Sequence, residues 1–166
     1  MEPLLKVIGI GSPQGEDRLG WEAARSLEGL DRVSVVCLDR PGPSLLHALE
    51  GETAVVLLDA METDLPPGCV RLLRAADLIT GGDGLSSHEL GVAGTLALGR
   101  ALGSLPGRLW LIGIQGRGQG GLSERERAAA FTAVRRQVQG LLQEQATGAP
   151  PGAKARDRHA DPANGQ

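Results

Sequence analysis

Residues 7–20 read V-I-G-I-G-S-P-Q-G-E-D-R-L-G, and the fold is decided by how this stretch is read. An apolar run (Leu4, Leu5, Val7, Ile8, Ile10) breaks at Gly9, Gly11, Pro13 and Gly15, and an apolar-periodic segment opens near Leu19. That order is a buried strand, a tight glycine turn and a helix start. In an open α/β sheet such a turn lies at the carboxyl edge of the strands, where ligands bind. Two adjacent carboxylates, Glu16 and Asp17, stand in the turn. A phosphate-cradling loop would offer backbone N–H groups there and no negative charge.

Working outward, the first strand spans 4–10 and a helix comes next over 19–30, with Leu19, Ala23, Leu27 and Leu30 on one face. A second strand over 33–38 ends at Asp39, and Arg40-Pro-Gly-Pro43 breaks the chain. A short helix over 44–49 takes Ser44 as its N-cap. The run A-V-V-L-L over 54–58 is apolar on both faces, so it is a central strand, ending at Asp59. Residues 70–73 form an edge strand suited to antiparallel pairing, and 75–87 read as a glycine-rich loop. Ser86-x-x-Glu89 is a capping box that opens a helix to about 102, with Ala93, Gly94, Ala97 and Ala101 small enough to pack closely on a sheet. A buried strand over 109–114 and a loop over 116–121 come after it. Ser123-x-x-Glu126 is a second capping box, opening a last helix that buries Phe131, Val134, Val138 and Leu141. Strands alternating with helices predict a three-layer α/β/α sandwich around a mostly parallel, twisted, five-stranded sheet. Residues 1–145 are expected to form one domain; 146–166, with almost nothing to bury, are expected to be a disordered tail.

Composition narrows the function. The 166 residues suit one core, with 41% apolar and 22% charged residues and a net charge of −3. There is no basic stripe, aromatics are 2% and tyrosine is absent, which argues against a nucleic-acid partner. Cys37 and Cys69 form no C-x-x-C and read as reduced thiols. The chain opens with no signal-peptide pattern, and no apolar run approaches the ~20 residues needed to cross a bilayer. The expectation is a cytoplasmic monomer without a membrane partner.

Three polar residues occupy comparable places: Asp17 after the first strand, Asp59 at the end of the third, and His88 in the first turn of the capped helix. Each has an ordinary explanation: Asp17 as a helix cap, Asp59 as a turn cap, His88 as an exposed first-turn side chain. Together, converging on one sheet edge, two carboxylates and an imidazole make an N/O metal site. The positive end of a helix disfavours imidazolium and leaves a ring lone pair free for a metal. His47, in a short helix with Leu45, Leu46 and Leu49, reads as a surface or packing residue. Ser86 and Ser87 lack the geometry of a nucleophile beside its base, and no G-x-S-x-G elbow is present. A competing reading makes Gly9, Gly11 and Gly15 the loop of a Rossmann-like nucleotide-binding module, with Asp39 as the ribose-binding acid. Gln14 at the third glycine position, and the charges of Glu16 and Asp17, count against it.

G-I-G-S-P-Q-G-E-D-R-L-G resembles the first motif of hydrogenase maturation endopeptidases, G-x-G-N-x-x-x-x-D-[DE]-x-x-G. V-L-L-D-A (56–60) and L-S-S-H-E-L-G (85–91) resemble the second and third motifs, in the same order and at matching separations. The resemblance implies a hydrolase on an α/β/α sandwich that trims a C-terminal extension from the precursor of a [NiFe]-hydrogenase large subunit once nickel is inserted. It places catalytic and metal-contacting roles on Asp17, Asp59 and His88, with the nickel carried by the substrate rather than stably bound. It assigns Asp39 to substrate recognition, with Glu16 beside it. The first loop is one residue shorter than the family's, so Glu16 competes with Asp17 as ligand, and the distance to Gly20 favours Asp17. Ser12 replaces the usual Asn, and Gln115-Gly-Arg117 stands where an acidic residue is frequent. Arg40-Pro-Gly-Pro43 replaces a Gly-Gly-Thr segment and is more like the branch serving soluble, NAD-reducing hydrogenases.

Overall fold

The computed structural model describes residues 2–12, 18–40, 42–80, 87–118 and 120–148, with backbone alone at 80 and 87–90. Asp17, Glu16, Gly15, Ser86 and the expected tail beyond 148 lie outside the described residues. In chain order the elements are β1 (Leu5–Gly11), α1 (Arg18–Arg25), β2 (Val33–Asp39), α2 (Pro43–Leu49), β3 (Ala54–Met61), β4 (Val70–Arg74), α3 (Ala75–Thr80), α4 (Ser87–Ala101), β5 (Arg108–Gln115) and α5 (Glu124–Thr147). The strands make one five-stranded sheet in the order β2-β1-β3-β5-β4. β1, β2, β3 and β5 are parallel, and the edge strand β4 is antiparallel to β5, as its sequence suggests.

Strand alternation divides the core into two layers. Val7, Val56, Leu58, Ile112 and Ile114 pack against α1 and α5. Ile8, Ile10, Val55, Leu57 and Leu111 pack against α2, α3 and α4. β3 is buried on both faces, with Val55, Val56, Leu57 and Leu58 at zero exposure, as a central parallel strand requires. Two glycines let α1 lie against the sheet backbone to backbone. A Cβ on Gly20 would stand 2.2 Å from the Ile10 carbonyl oxygen, and one on Gly9 would stand 2.7 Å from that of Gly20. Gly9 thus serves helix packing, the use a close-packed glycine has in a strand.

Several boundaries differ from the sequence-based expectation. α1 stops at Arg25 rather than reaching residue 30. Beyond it the N–H groups of Leu27, Glu28 and Leu30 bond three residues back, the Ser26 hydroxyl takes the Ala23 carbonyl at 2.6 Å, and Gly29 turns with φ +88. Leu27 stays fully buried and Leu30 half-buried, so the apolar face continues after the helix ends. α2 begins at Pro43, with Gly42 at the N-cap position and no side-chain cap, so Ser44 sits inside the first turn. Proline's fixed φ and missing N–H suit that start. Residues 75–80, expected as loop, are the helix α3. α4 turns Val92, Leu96 and Gly99 inward, while Gly94, Ala97 and Ala101 are exposed and Ala93 is half-buried. Large apolar side chains win the buried face over small ones because they remove more area from water. The second capping box forms as expected: Ser123 Oγ accepts from Glu126 N at 3.1 Å, and Glu126 Oε1 accepts from Ser123 N at 2.9 Å. α5 buries Val134, Val138 and Leu141, with Ala130 in the place expected of Phe131, which is half-buried. It runs through Thr147, past the expected domain end, and closes on left-handed Gly148.

Candidate functional site

The strand order places a topological switch between β1 and β3. From β1 the chain crosses through α1 to β2 on one side; from β2 it returns through α2 to β3 on the other side of β1. α1, entered from the carboxyl end of β1, and α4, which starts at the same edge, lie in opposite layers, the arrangement that opens a crevice at the carboxyl edge of such a sheet. The loop carrying Glu16 and Asp17 leaves β1 at this edge, and Asp17 directly precedes α1. Its carboxylate lies outside the described residues.

Asp59 is on the other lip of the crevice. It does not end β3, as the sequence suggested, but lies inside it, pairing with Gly113 while the strand runs on to Met61. It is 2% exposed, one of two buried polar residues among those described, the other being Gln115. Alternation from Val55 and Leu57 puts Asp59 on the α4 face of the sheet. α4 ends at Ala101, just before β5 begins at Arg108 opposite Ala54, so it runs back along β3 toward the carboxyl edge. Its thirteen-residue rise from Ala101 to His88 covers roughly 20 Å. His88 therefore has its backbone in the first turn of the helix covering the face that holds Asp59.

Asp39 is set apart. It ends β2 opposite Gly11, is exposed, and lies 3.9 Å from the Arg40 guanidinium. β2 is two strands from β3, roughly 10 Å across the sheet. Asp39 thus flanks the crevice rather than joining Asp59. Arg40 comes next with φ +62, an uncommon conformation for a residue with a side chain. His47 takes the surface place rather than a packing one, 88% exposed at its side chain. Among the described residues no three His, Cys, Asp or Glu stand together as a metal-holding group.

Sequence reasoning marks Gln115 only as a departure from a pattern. It is 6% exposed and on the same sheet face as Asp59, diagonally across the β3–β5 pair. Its Oε1 accepts from Thr63 N at 2.9 Å and from Thr63 Oγ1 at 2.6 Å, and its Nε2 donates to Gly116 O at 3.0 Å. The signal present in the sequence is a lone amide closing the apolar run L-W-L-I-G-I.

Beside this edge, Arg117 pairs with Glu126 at the start of α5, and Arg127 reaches Glu22 of α1. The Arg117 guanidinium and the Ser123 N–H hold the Glu126 carboxyl down to about 2. Burial pushes the Cys37 thiol up, away from thiolate chemistry. A cavity of about 620 Å³ opens at the opposite, amino edge, lined by Leu73, Arg74, Arg100, Pro106 and Arg108. It is roughly 17 Å along β3 from Asp59 and separate from the crevice. Among the described residues no helix is long and apolar enough to cross a membrane.

Known structures share this architecture. The hydrogenase maturating endopeptidase HybD from E. coli superposes with a TM-score of 0.70 at 23% identity, over 87% of this chain and 93% of that one. The [NiFe] hydrogenase maturation protease HybD from Thermococcus kodakarensis gives 0.67 at 22%, over 86% and 99%. A hydrogenase 2 maturation peptidase from a Thaumarchaeota archaeon gives 0.57 at 28%, over 82% and 97%. No curated protein sequence matches the chain. The family model HycI, hydrogenase maturation protease, matches residues 25–142, well over half of the chain. That match takes in Asp39, Asp59 and His88, and the chain belongs to the hydrogenase maturation protease family, as an endopeptidase of hydrogenase maturation.

Proposed function

We propose that the chain removes the C-terminal extension of a nickel-loaded [NiFe]-hydrogenase large-subunit precursor, and that Asp17, Asp59 and His88 meet the substrate's nickel at the crevice between β1 and β3. The observation that carries this reading is Asp59: a carboxylate 2% exposed, inside a central strand, on the sheet face covered by the helix that begins at Ser87 and His88. A buried carboxylate at the edge where such sheets bind ligands fits a role in function.

Two carboxylates and one imidazole are too few and too hard to hold nickel tightly unaided, so the ion arrives with the precursor. Completing its coordination docks the precursor and checks that it is loaded. Bound metals polarise a carbonyl or activate a water for hydrolysis. A carboxylate of the site takes the water's proton as it attacks, and the proton passes to the leaving amine. Asp39, flanking the crevice, and Glu16 contact the precursor rather than the ion.

Incubating the protein with nickel-loaded precursor and weighing the products by mass spectrometry tests the proposal. Loss of one C-terminal fragment is expected, with no cleavage of nickel-free precursor. Asp17→Asn, Asp59→Asn and His88→Ala are each expected to block processing while circular dichroism stays unchanged. Near-normal cleavage by all three variants would overturn the assignment.

A further inference from the structure

We propose that the segment joining β3 to β4 is a preformed ledge that docks the precursor beside the crevice, with Leu65 as its apolar contact and Gln115 as the residue that positions it. The inference rests on the reading above, that the peptide is cut at the edge holding Asp59.

The segment reads E-T-D-L-P-P-G-C over 62–69 and starts one residue past β3. One residue fastens both its ends. The Gln115 side chain takes the N–H and hydroxyl of Thr63 at the start of the segment. The Gln115 backbone takes its end, accepting from Gly68 N and donating to Cys69 O, both at 2.8 Å. Between them, Leu65 N donates to Thr63 Oγ1 at 3.2 Å, so the backbone at Leu65 is tied through Thr63 to Gln115. Pro66 and Pro67 stiffen the two positions after Leu65. A segment fastened this way loses little freedom when a partner binds, which favours affinity.

Leu65 is 39% exposed, one of three large apolar side chains left in water among the described residues. The other two, Leu98 in the last turn of α4 and Leu102 just past it, lie toward the amino edge. Of the three, Leu65 is the one at the edge where a protein substrate must approach. Glu62 and Asp64 flank it, both exposed, and the segment carries no cation. The matching segment of the precursor therefore places an apolar side chain beside a Lys or Arg. Gln115 touches none of the reacting atoms; it acts by holding Thr63.

Steady-state cleavage of the nickel-loaded precursor tests the ledge. Cleavage by the unaltered chain, lost in Asp59→Asn, first establishes the site independently. Leu65→Asp is then expected to raise KM about ten-fold with kcat held within about two-fold, the signature of lost binding that is equal in ground and transition states. Gln115→Ala should raise KM in the same direction by freeing Thr63. Leu98→Asp, an exposed leucine exchanged for the same charge, should change neither constant. Unchanged KM in Leu65→Asp would overturn the ledge while leaving the site standing, and so would a fall in kcat at constant KM in Gln115→Ala.

Discussion

Replacing Gly20 by alanine tests whether backbone contact between α1 and the sheet sets the geometry of the crevice. The added Cβ would stand 2.2 Å from the Ile10 carbonyl oxygen and 2.7 Å from that of Leu58. Both are backbone atoms of adjacent buried strands, so neither can swing aside. Ordinary contact begins at 3.4 Å, and 3.4 minus 2.2 leaves about 1.2 Å by which α1 must retreat. The retreat thins the contacts of Leu19, Ala23 and Ala24, all buried against β1 and β3. Overpacking of this kind costs about 1–3 kcal/mol or more. The helix gains about 1 kcal/mol from exchanging glycine for alanine, leaving a net loss of about 0–2 kcal/mol, or up to roughly 8 °C in Tm by the usual size scaling. Gly140→Ala is the matched control: it lies inside α5 with nothing within 4 Å of its Cβ position. There only the propensity gain applies, and Tm should rise. Thermal denaturation of both variants decides the matter; a Gly20→Ala protein as stable as Gly140→Ala would refute the packing argument. Because Asp17 directly precedes α1, Gly20→Ala is also expected to process precursor more slowly than its folded fraction allows.

Two further measurements probe the frame around the site. Glu126 has its pKa lowered to about 2 by Arg117 and Ser123, so its contribution is full above its unfolded value near 4.5 and is lost as pH falls toward 2. The Tm of Glu126→Gln should fall short of the unaltered protein's at neutral pH, the gap closing steadily on acidification; a gap that widened toward acid would refute the assignment. Leu57→Ala, at zero exposure in β3, should lower stability by about 2–5 kcal/mol in urea unfolding with little change in m-value, and a loss under about 1 kcal/mol would mean that the core beneath Asp59 is not tightly packed.

What a sequence reveals depends on the range over which its residues act. The strand at 54–58 and the cap at Ser123 are legible because each is encoded within a few residues: a doubly apolar run, and two side chains three apart. Asp59 is legible as a polar residue on a buried run, but its place in the strand is not. A charge on an apolar run suggests a strand end, yet β3 continues because β5 offers it partners through Met61 and Gln115, and that pairing is not local. The same blindness hides Gln115: an amide at a strand end looks solvated until Thr63, 52 residues away in the chain, is seen to fold onto it. Strand order is the extreme case. No residue in β1, β2 or β3 states that β1 will lie between the other two; that depends on α1 and α2 taking opposite layers. Were both helices on one face, right-handed crossovers would carry the strands in one direction, β1 would not adjoin β3, and the loop of Asp17 and the strand of Asp59 would share no crevice. The site thus depends on a property of the whole sheet, to which Gly9 and Gly20, by admitting α1 to its layer, contribute as directly as any acid at the edge.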